Sequence, residues 1–185
     1  MPSHSTKILS GLSRRRLIGG TLAAVALLPA GTPARARAVE VSEGPDDQRF
    51  MRMALEEAAL GDYPFGAAIT RDGEVLVRAR NIGKLTQDPT AHAEMIAIRR
   101  FLNLYGPEEL KGTTIYASGE PCPMCMGAII WCGIGRVVFG ASIEQLATKI
   151  GQIMVSSADL AANTPFETIA ITGGVLAEQS LKLFK

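Results

Sequence analysis

The sequence predicts a layered α/β fold, with helices on both faces of a β-sheet. Two observations carry this. Strand-like and helical runs alternate from residue 46 to residue 184, and 185 residues less a leader suit one domain with its own core. Asp46–Leu60 places Phe50, Met53, Ala54, Leu55 and Ala58 at helical spacing, with acids at the start and Gly61 just past the end. "FGAAIT" and "EVLVRAR" read as two strands joined by a tight turn at Asp72-Gly73. Asn81–Thr90 is a polar loop, and a helix follows from about Ala91 to Leu104, stopping before Gly106-Pro107. Thr113–Ser118 is a third strand, Pro123–Cys132 a short apolar helix, and "RVVFG" from Arg136 a fourth strand. Glu167–Ile171 is a fifth strand, ahead of a last helix over Val175–Phe184.

The formal net charge of +1 hides an asymmetry. Residues 1–38 hold six of the 19 Lys and Arg and none of the 18 Asp and Glu, which leaves residues 39–185 with 13 against 18, a net of −5. An acidic body is a poor match for a nucleic-acid backbone, whereas a small neutral substrate meets no such obstacle. The basic excess sits in a leader with a positive start, an apolar stretch Leu17–Leu28, and small-x-small sites at Ala34-Arg35-Ala36 and Ala36-Arg37-Ala38. That apolar stretch ends at Pro29, too short to span a bilayer. "SRRRLI" (residues 13–18) resembles a twin-arginine export signal. Residues 1–38 are therefore expected to be a signal peptide and residues 39–185 the functional domain, periplasmic or secreted, with no stable membrane association once the leader is removed.

All three cysteines lie in "GEPCPMCMGAIIWC", residues 119–132. The only histidine past the leader is His92, in "DPTAHAEM". His92 and the Cys122/Cys125 pair each open a predicted helix. Cysteines at i and i+3 of a first turn share one face, and a helix N-terminus favours thiolates. One imidazole and two thiolates make a three-ligand zinc site whose fourth tetrahedral position stays open, the mark of a catalytic centre. Glu94, two residues past His92, is placed beside that position to move protons. His92-Ala93-Glu94 followed by Pro121-Cys122-Pro123-Met124-Cys125 is the pattern of zinc deaminases acting on nucleobases. A thioredoxin-like redox pair would explain the two cysteines but not the His-x-Glu half. A disulfide across i,i+3 would be strained, and a closed four-ligand site would need Cys132, two turns further along the same helix. Cys132 reads instead as a small buried hydrophobe. Export by the twin-arginine route fits thiolate ligands, because the protein would fold and take up zinc in a reducing compartment first.

From about Asp46 to Gly140 the chain resembles the cytidine/deoxycytidylate-type zinc deaminase superfamily, on "PFGAAIT", "DPTAHAEMIAIRR", "EPCPMCMGAII" and "GRVVFGA". Within it the chain is similar to the branch of guanine deaminases, cytosine deaminases and tRNA-specific adenosine deaminases. The resemblance implies a three-layer α-β-α fold with a central mixed five-stranded sheet, Zn2+ on His92, Cys122 and Cys125, Glu94 as the proton shuttle, and a homodimer. It also implies substrate contacts. Asn81 matches an asparagine that hydrogen-bonds the substrate, and Trp131 matches an aromatic position of guanine deaminases. Glu144 is the nearest substitute for the acid with which those enzymes grip the guanine edge. Phe65 is a candidate to stack on a planar ring. The expected reaction is hydrolytic release of ammonia from a free nucleobase or related amino-heterocycle of purine or pyrimidine type, guanine foremost. The alternative is deamination of tRNA adenosine, or of cytosine or a nucleoside. Against the tRNA alternative, export would remove the enzyme from tRNA, and the tail "GGVLAEQSLKLFK" carries no basic patch.

Overall fold

Residues 39–185 are described by the structure, a computed structural model; the expected leader, residues 1–38, lies outside them. After a two-residue strand β1 (Val39–Glu40), the amphipathic stretch folds as helix α1 (Asp47–Ala58), burying Phe50, Met51, Ala54, Leu55 and Ala58. The hairpin follows as β2 (Gly66–Arg71) and β3 (Glu74–Arg80). Its turn residues Asp72 and Gly73 both take positive φ, 50° and 78°, which suits the right-handed twist of the paired strands. Next come a helical turn α2 (Gly83–Thr86), α3 (Ala93–Tyr105), β4 (Thr114–Gly119), α4 (Pro123–Trp131) and β5 (Arg136–Ala141). Two short helices, α5 (Ile143–Ala147) and α6 (Ser157–Ala162), precede β6 (Ala170–Thr172) and α7 (Ala177–Leu181).

The strands form one mixed sheet in the order β1-β6-β5-β4-β2-β3. β4, β5, β6 and β1 run parallel, while β2 is antiparallel to both β4 and β3. Period-two alternation divides the core. Ala67, Ile69, Ile115 and Val137 pack with Ala97 and Phe101 of α3 and Met126 and Ile129 of α4. Ala68, Tyr116 and Val138 pack with Phe50, Met51 and Ala54 of α1 on the other face. Strands buried on both faces are what a three-layer arrangement requires. The approach of α1 to β2 is so close that a Cβ at Gly66 would stand 2.1 Å from the Ala54 carbonyl oxygen, so only glycine fits there. At the starting end of the parallel strands the Asp47 carboxylate, 2% exposed, ties α1 to the sheet. It accepts from the Gly44 N–H (2.7 Å), the Tyr116 hydroxyl (2.8 Å) and both terminal nitrogens of Arg136 (2.9 and 2.7 Å).

The sheet has six strands rather than the five expected. The extra one, β1, is two residues long, too short to show period-two patterning. The expected strand Glu167–Ile171 is shorter and shifted to Ala170–Thr172, the residues that reach the β5 register at Arg136–Val138. The polar loop 81–90 contains α2, closed by left-handed Gln87. The last helix covers Ala177–Leu181, since left-handed Leu176 delays its start. No helix among the described residues is long and apolar enough to cross a membrane.

Candidate active site

Two helix N-termini converge at the finishing end of β4. His92 is the N-cap of α3 (φ −66°, ψ 158°) and Cys122 the N-cap of α4 (φ −62°, ψ 165°), both in extended backbone. Neither side chain is used to cap its own helix, so both turn outward to a shared point. Pro123 occupies the first helical position of α4, where its missing N–H costs nothing. Cys125 follows one turn into α4 and is fully buried.

The Cys122 and Cys125 sulfurs lie 3.7 and 3.6 Å from His92 Nδ1. All three ligand atoms fall within 4.8 Å of one another, the one such cluster found among the described residues. Zinc bonds of about 2.3 Å to sulfur and about 2.05 Å to nitrogen, at tetrahedral angles, would hold S and N about 3.6 Å apart. The donor set and its spacing therefore fit Zn2+, with Nδ1 as the imidazole ligand. The three thiols are free. Cys132 stands apart from the cluster at the C-cap of α4, half-buried, its thiol pKa raised by burial.

Without metal the site shows how much charge it is built to hold. Hydrogen bonds from Cys125 and then His92 pull the Cys122 thiol down to about 4, against the opposing effect of burial. The proton goes to Cys125, whose pKa is pushed far up by its bond to Cys122 and by burial. His92 is raised, chiefly by its bond to Cys122. Glu94, on the first turn of α3, is 5% exposed, and burial followed by the nearby Cys122 charge lifts its carboxyl to about 7.

These groups open onto a cavity of about 500 Å³. Phe65 and Asn81 line it with His92, Glu94 and Cys122. Asn81 is 4% exposed, and its Oδ1 accepts from the Gly83 N–H (3.0 Å), which leaves its amide NH2 to donate to a bound molecule. Phe65 meets Phe184 edge-on at 5.2 Å. Two expected contacts are not brought here. Trp131 sits at the opposite end of α4 from Cys122, is 77% exposed, and packs on Phe166 with ring centroids 4.7 Å apart. Glu144, in the first turn of α5, is exposed and lines a different cleft with Glu40, Ser142 and Ser156. The phase and length of the supporting helix, α4 or α5, turn each side chain away from this cavity.

Residues without a sequence signal complete the cavity. Tyr63 and Lys84 stand at its edge, the Lys84 ammonium 4.5 Å from the Tyr63 ring centroid. Ile150, Gly151 and Gln152 arrive from the coil between α5 and α6, and Glu120 from the end of β4.

The family described as the cytidine and deoxycytidylate deaminase zinc-binding region matches residues 45–141. A tRNA-specific adenosine deaminase of Haemophilus influenzae is 39% identical over 138 residues, covering 72% of this chain and 78% of that protein. A guanine deaminase of Bacillus subtilis is 44% identical over 96 residues, covering 51% of this chain and 61% of that one. A solved structure from a study of A-to-I editing by tRNA:A34 deaminases at the wobble position of transfer RNA superposes with a TM-score of 0.62 at 31% identity, over 73% of this chain and 98% of that one.

Proposed function

Because the chain belongs to the zinc-binding cytidine and deoxycytidylate deaminase family, we propose that it hydrolyses the exocyclic amino group of a free aminopurine base, guanine being the first to test. The observation that carries this reading is the buried Glu94 carboxyl beside the His92/Cys122/Cys125 cluster, facing Asn81 and Phe65 across one cavity. Zinc, which His92, Cys122 and Cys125 would hold, would supply Lewis acidity that lowers the pKa of water toward neutrality. Glu94 accepts the proton of the attacking water and delivers it to the adjacent ring nitrogen. The amino-bearing carbon becomes tetrahedral; Glu94 then takes the proton of the added hydroxyl and passes it to the amine, the carbonyl forms as the C–N bond breaks, and ammonia leaves. A carboxylate suits a group that must both take and give a proton in one turnover. Asn81 orients the ring through its amide NH2, and Phe65 provides an apolar face for it.

The net charge of −5 over residues 39–185 supports a small substrate over a polyanion. The same proposal places the enzyme outside the cytoplasm, on the basic and apolar pattern of residues 14–28. A second reading, deamination of tRNA adenosine, is favoured by the relatives and by the Tyr63–Lys84 pair, where a ring and a cation could receive a base and its phosphate. The test is ammonia release by zinc-loaded protein from guanine, adenine, cytosine, their nucleosides and a tRNA anticodon stem-loop, with Glu94→Gln as the blank. Turnover of a free base is expected. Turnover of the stem-loop alone would refute the small-substrate reading.

A further inference from the structure

One buried acid beside the zinc ligands has no part in the proton transfers. Glu120 is 7% exposed and lies at the end of β4, two residues before Cys122. Its Oε2 accepts from the Ile143 N–H at 2.9 Å and its Oε1 from the Ser157 N–H at 2.7 Å. Ile143 and Ser157 are the first residues of α5 and α6. Each helix also has a serine N-cap: Ser142 Oγ accepts from the Gln145 N–H (3.3 Å) and Ser156 Oγ from the Asp159 N–H (3.0 Å). Two first-turn amides of each helix are thus satisfied, one by a local hydroxyl and one by a single shared carboxylate.

Helices of five and six residues do not hold themselves together, so tertiary ties place them. A carboxylate receiving two amide donors at two helix N-termini is a strong tie of this kind. The segment it fastens matters, because residues 148–156 between the two helices carry Ile150, Gly151 and Gln152 onto the cavity shared with His92, Glu94 and Cys122. The Ser157 hydroxyl adds a bond to the Pro121 carbonyl (3.3 Å), again next to Cys122.

We propose that Glu120 is a positioning residue, fastening both ends of segment 143–157 to the strand end that bears Cys122. It thereby sets the separation between this cavity wall and the metal ligands, and with it the size of ring the site accepts. The inference rests on the deaminase reading of the cavity only for its effect on substrate; the tie itself stands independently.

The experiment compares wild type, Glu120→Gln and Glu120→Asp as full-length zinc-loaded proteins. Amide hydrogen exchange, zinc content and steady-state kinetics are read on whichever ring wild type deaminates. Gln offers one acceptor where Glu offers two, so the Ile143 and Ser157 amides are expected to exchange at least about tenfold faster in Glu120→Gln, with α1 and α3 unchanged. Zinc stays at one per chain, and KM rises about tenfold while kcat moves less than about threefold. Glu120→Asp, which keeps the charge on a shorter stem, falls between. Unchanged exchange over 143–157, or an increase spread evenly through the sheet, overturns the proposal. A collapse of kcat at constant KM also overturns it, because Glu120 would then act on the chemistry. A wild type silent on every ring refutes the deaminase reading instead, and the exchange data still decide the tie.

Discussion

Replacing Glu94 by Gln should make the zinc-free protein more stable while removing its activity, and the size of the effect can be worked out. The Glu94 carboxyl is held at about 7, against 4.5 for the free side chain, with burial the first cause and the Cys122 charge the second. At about 1.4 kcal/mol per pH unit, that gap corresponds to about 3 kcal/mol. The sign follows from proton binding. Between pH 4.5 and 7 the folded chain retains a proton that the unfolded chain has lost, so stability falls as pH rises through this window. Above 7 the loss is complete. Gln cannot ionise and is spared it, but its buried amide costs about 1–3 kcal/mol where a donor or acceptor goes unpaired. Zinc-free Glu94→Gln should therefore exceed wild type by up to about 2 kcal/mol at pH 8 and be no more stable at pH 4.5. Urea unfolding followed by circular dichroism, with reductant and chelator across that range, measures the difference directly. A difference that stays constant with pH would refute the buried-charge argument. With zinc bound the gap should shrink, because a cation beside the carboxylate favours its ionised form. Turnover should drop by about 10²–10⁴ with zinc still at one per chain; loss of metal would show that Glu94 is a ligand rather than a shuttle.

Cys122→Ser should abolish stoichiometric zinc, and chelator-treated wild type should then melt at the same temperature as the variant. At a thousandfold excess of zinc over its dissociation constant, the stabilisation lost is about 4 kcal/mol. A variant that keeps one zinc per chain by atomic absorption would remove Cys122 from the ligand set. Asp47→Asn tests the tie at the other end of the sheet. Burial alone would raise the Asp47 pKa, but Arg136, the Gly44 N–H and Tyr116 together hold it below its usual value. Its contribution is therefore present above pH about 4 and lost as pH falls through the lowered folded value. The variant leaves Arg136 without its counter-charge and should lose about 3 kcal/mol at neutral pH. That deficit should narrow on acidification below pH 4. A deficit unchanged from pH 7 to pH 3 would mean that it arises from packing rather than charge.

The metal half of the site was legible because local rules place it. His92 and Cys122 are N-caps in extended backbone, the positions at which a strand or loop turns into a helix, and sequence patterning marks that change of period. Glu94 and Cys125 then follow by helical spacing alone. Strands β2 to β5, the Asp72-Gly73 turn and α1 were readable for the same reason. The far wall of the cavity was not. α5 and α6 are too short to show a hydrophobic period, and the acid that ties them lies 23 and 37 residues away in sequence from the amides it receives. Trp131 and Glu144 lie outside this cavity for a different reason. Each has a plausible position in the motif, but orientation depends on how far its helix has turned, and α4 turns Trp131 out to Phe166.

This division bears on why the substrate is harder to read than the reaction. The candidate metal ligands and Glu94 sit on the two helices that pack against the sheet, α3 and α4, whose positions are fixed by the close-packed core around Phe101 and Met126. The 148–156 coil sits between two short helices and contributes Ile150, Gly151 and Gln152 to the cavity from outside the sheet core. Changing those side chains alters what fits against Phe65 and Asn81 without disturbing the ligand spacing of 3.6–3.7 Å. A motif can therefore fix the reaction class across relatives named for a free base or for tRNA, while, under the proposal above, the choice between them rests on a wall that the motif does not encode.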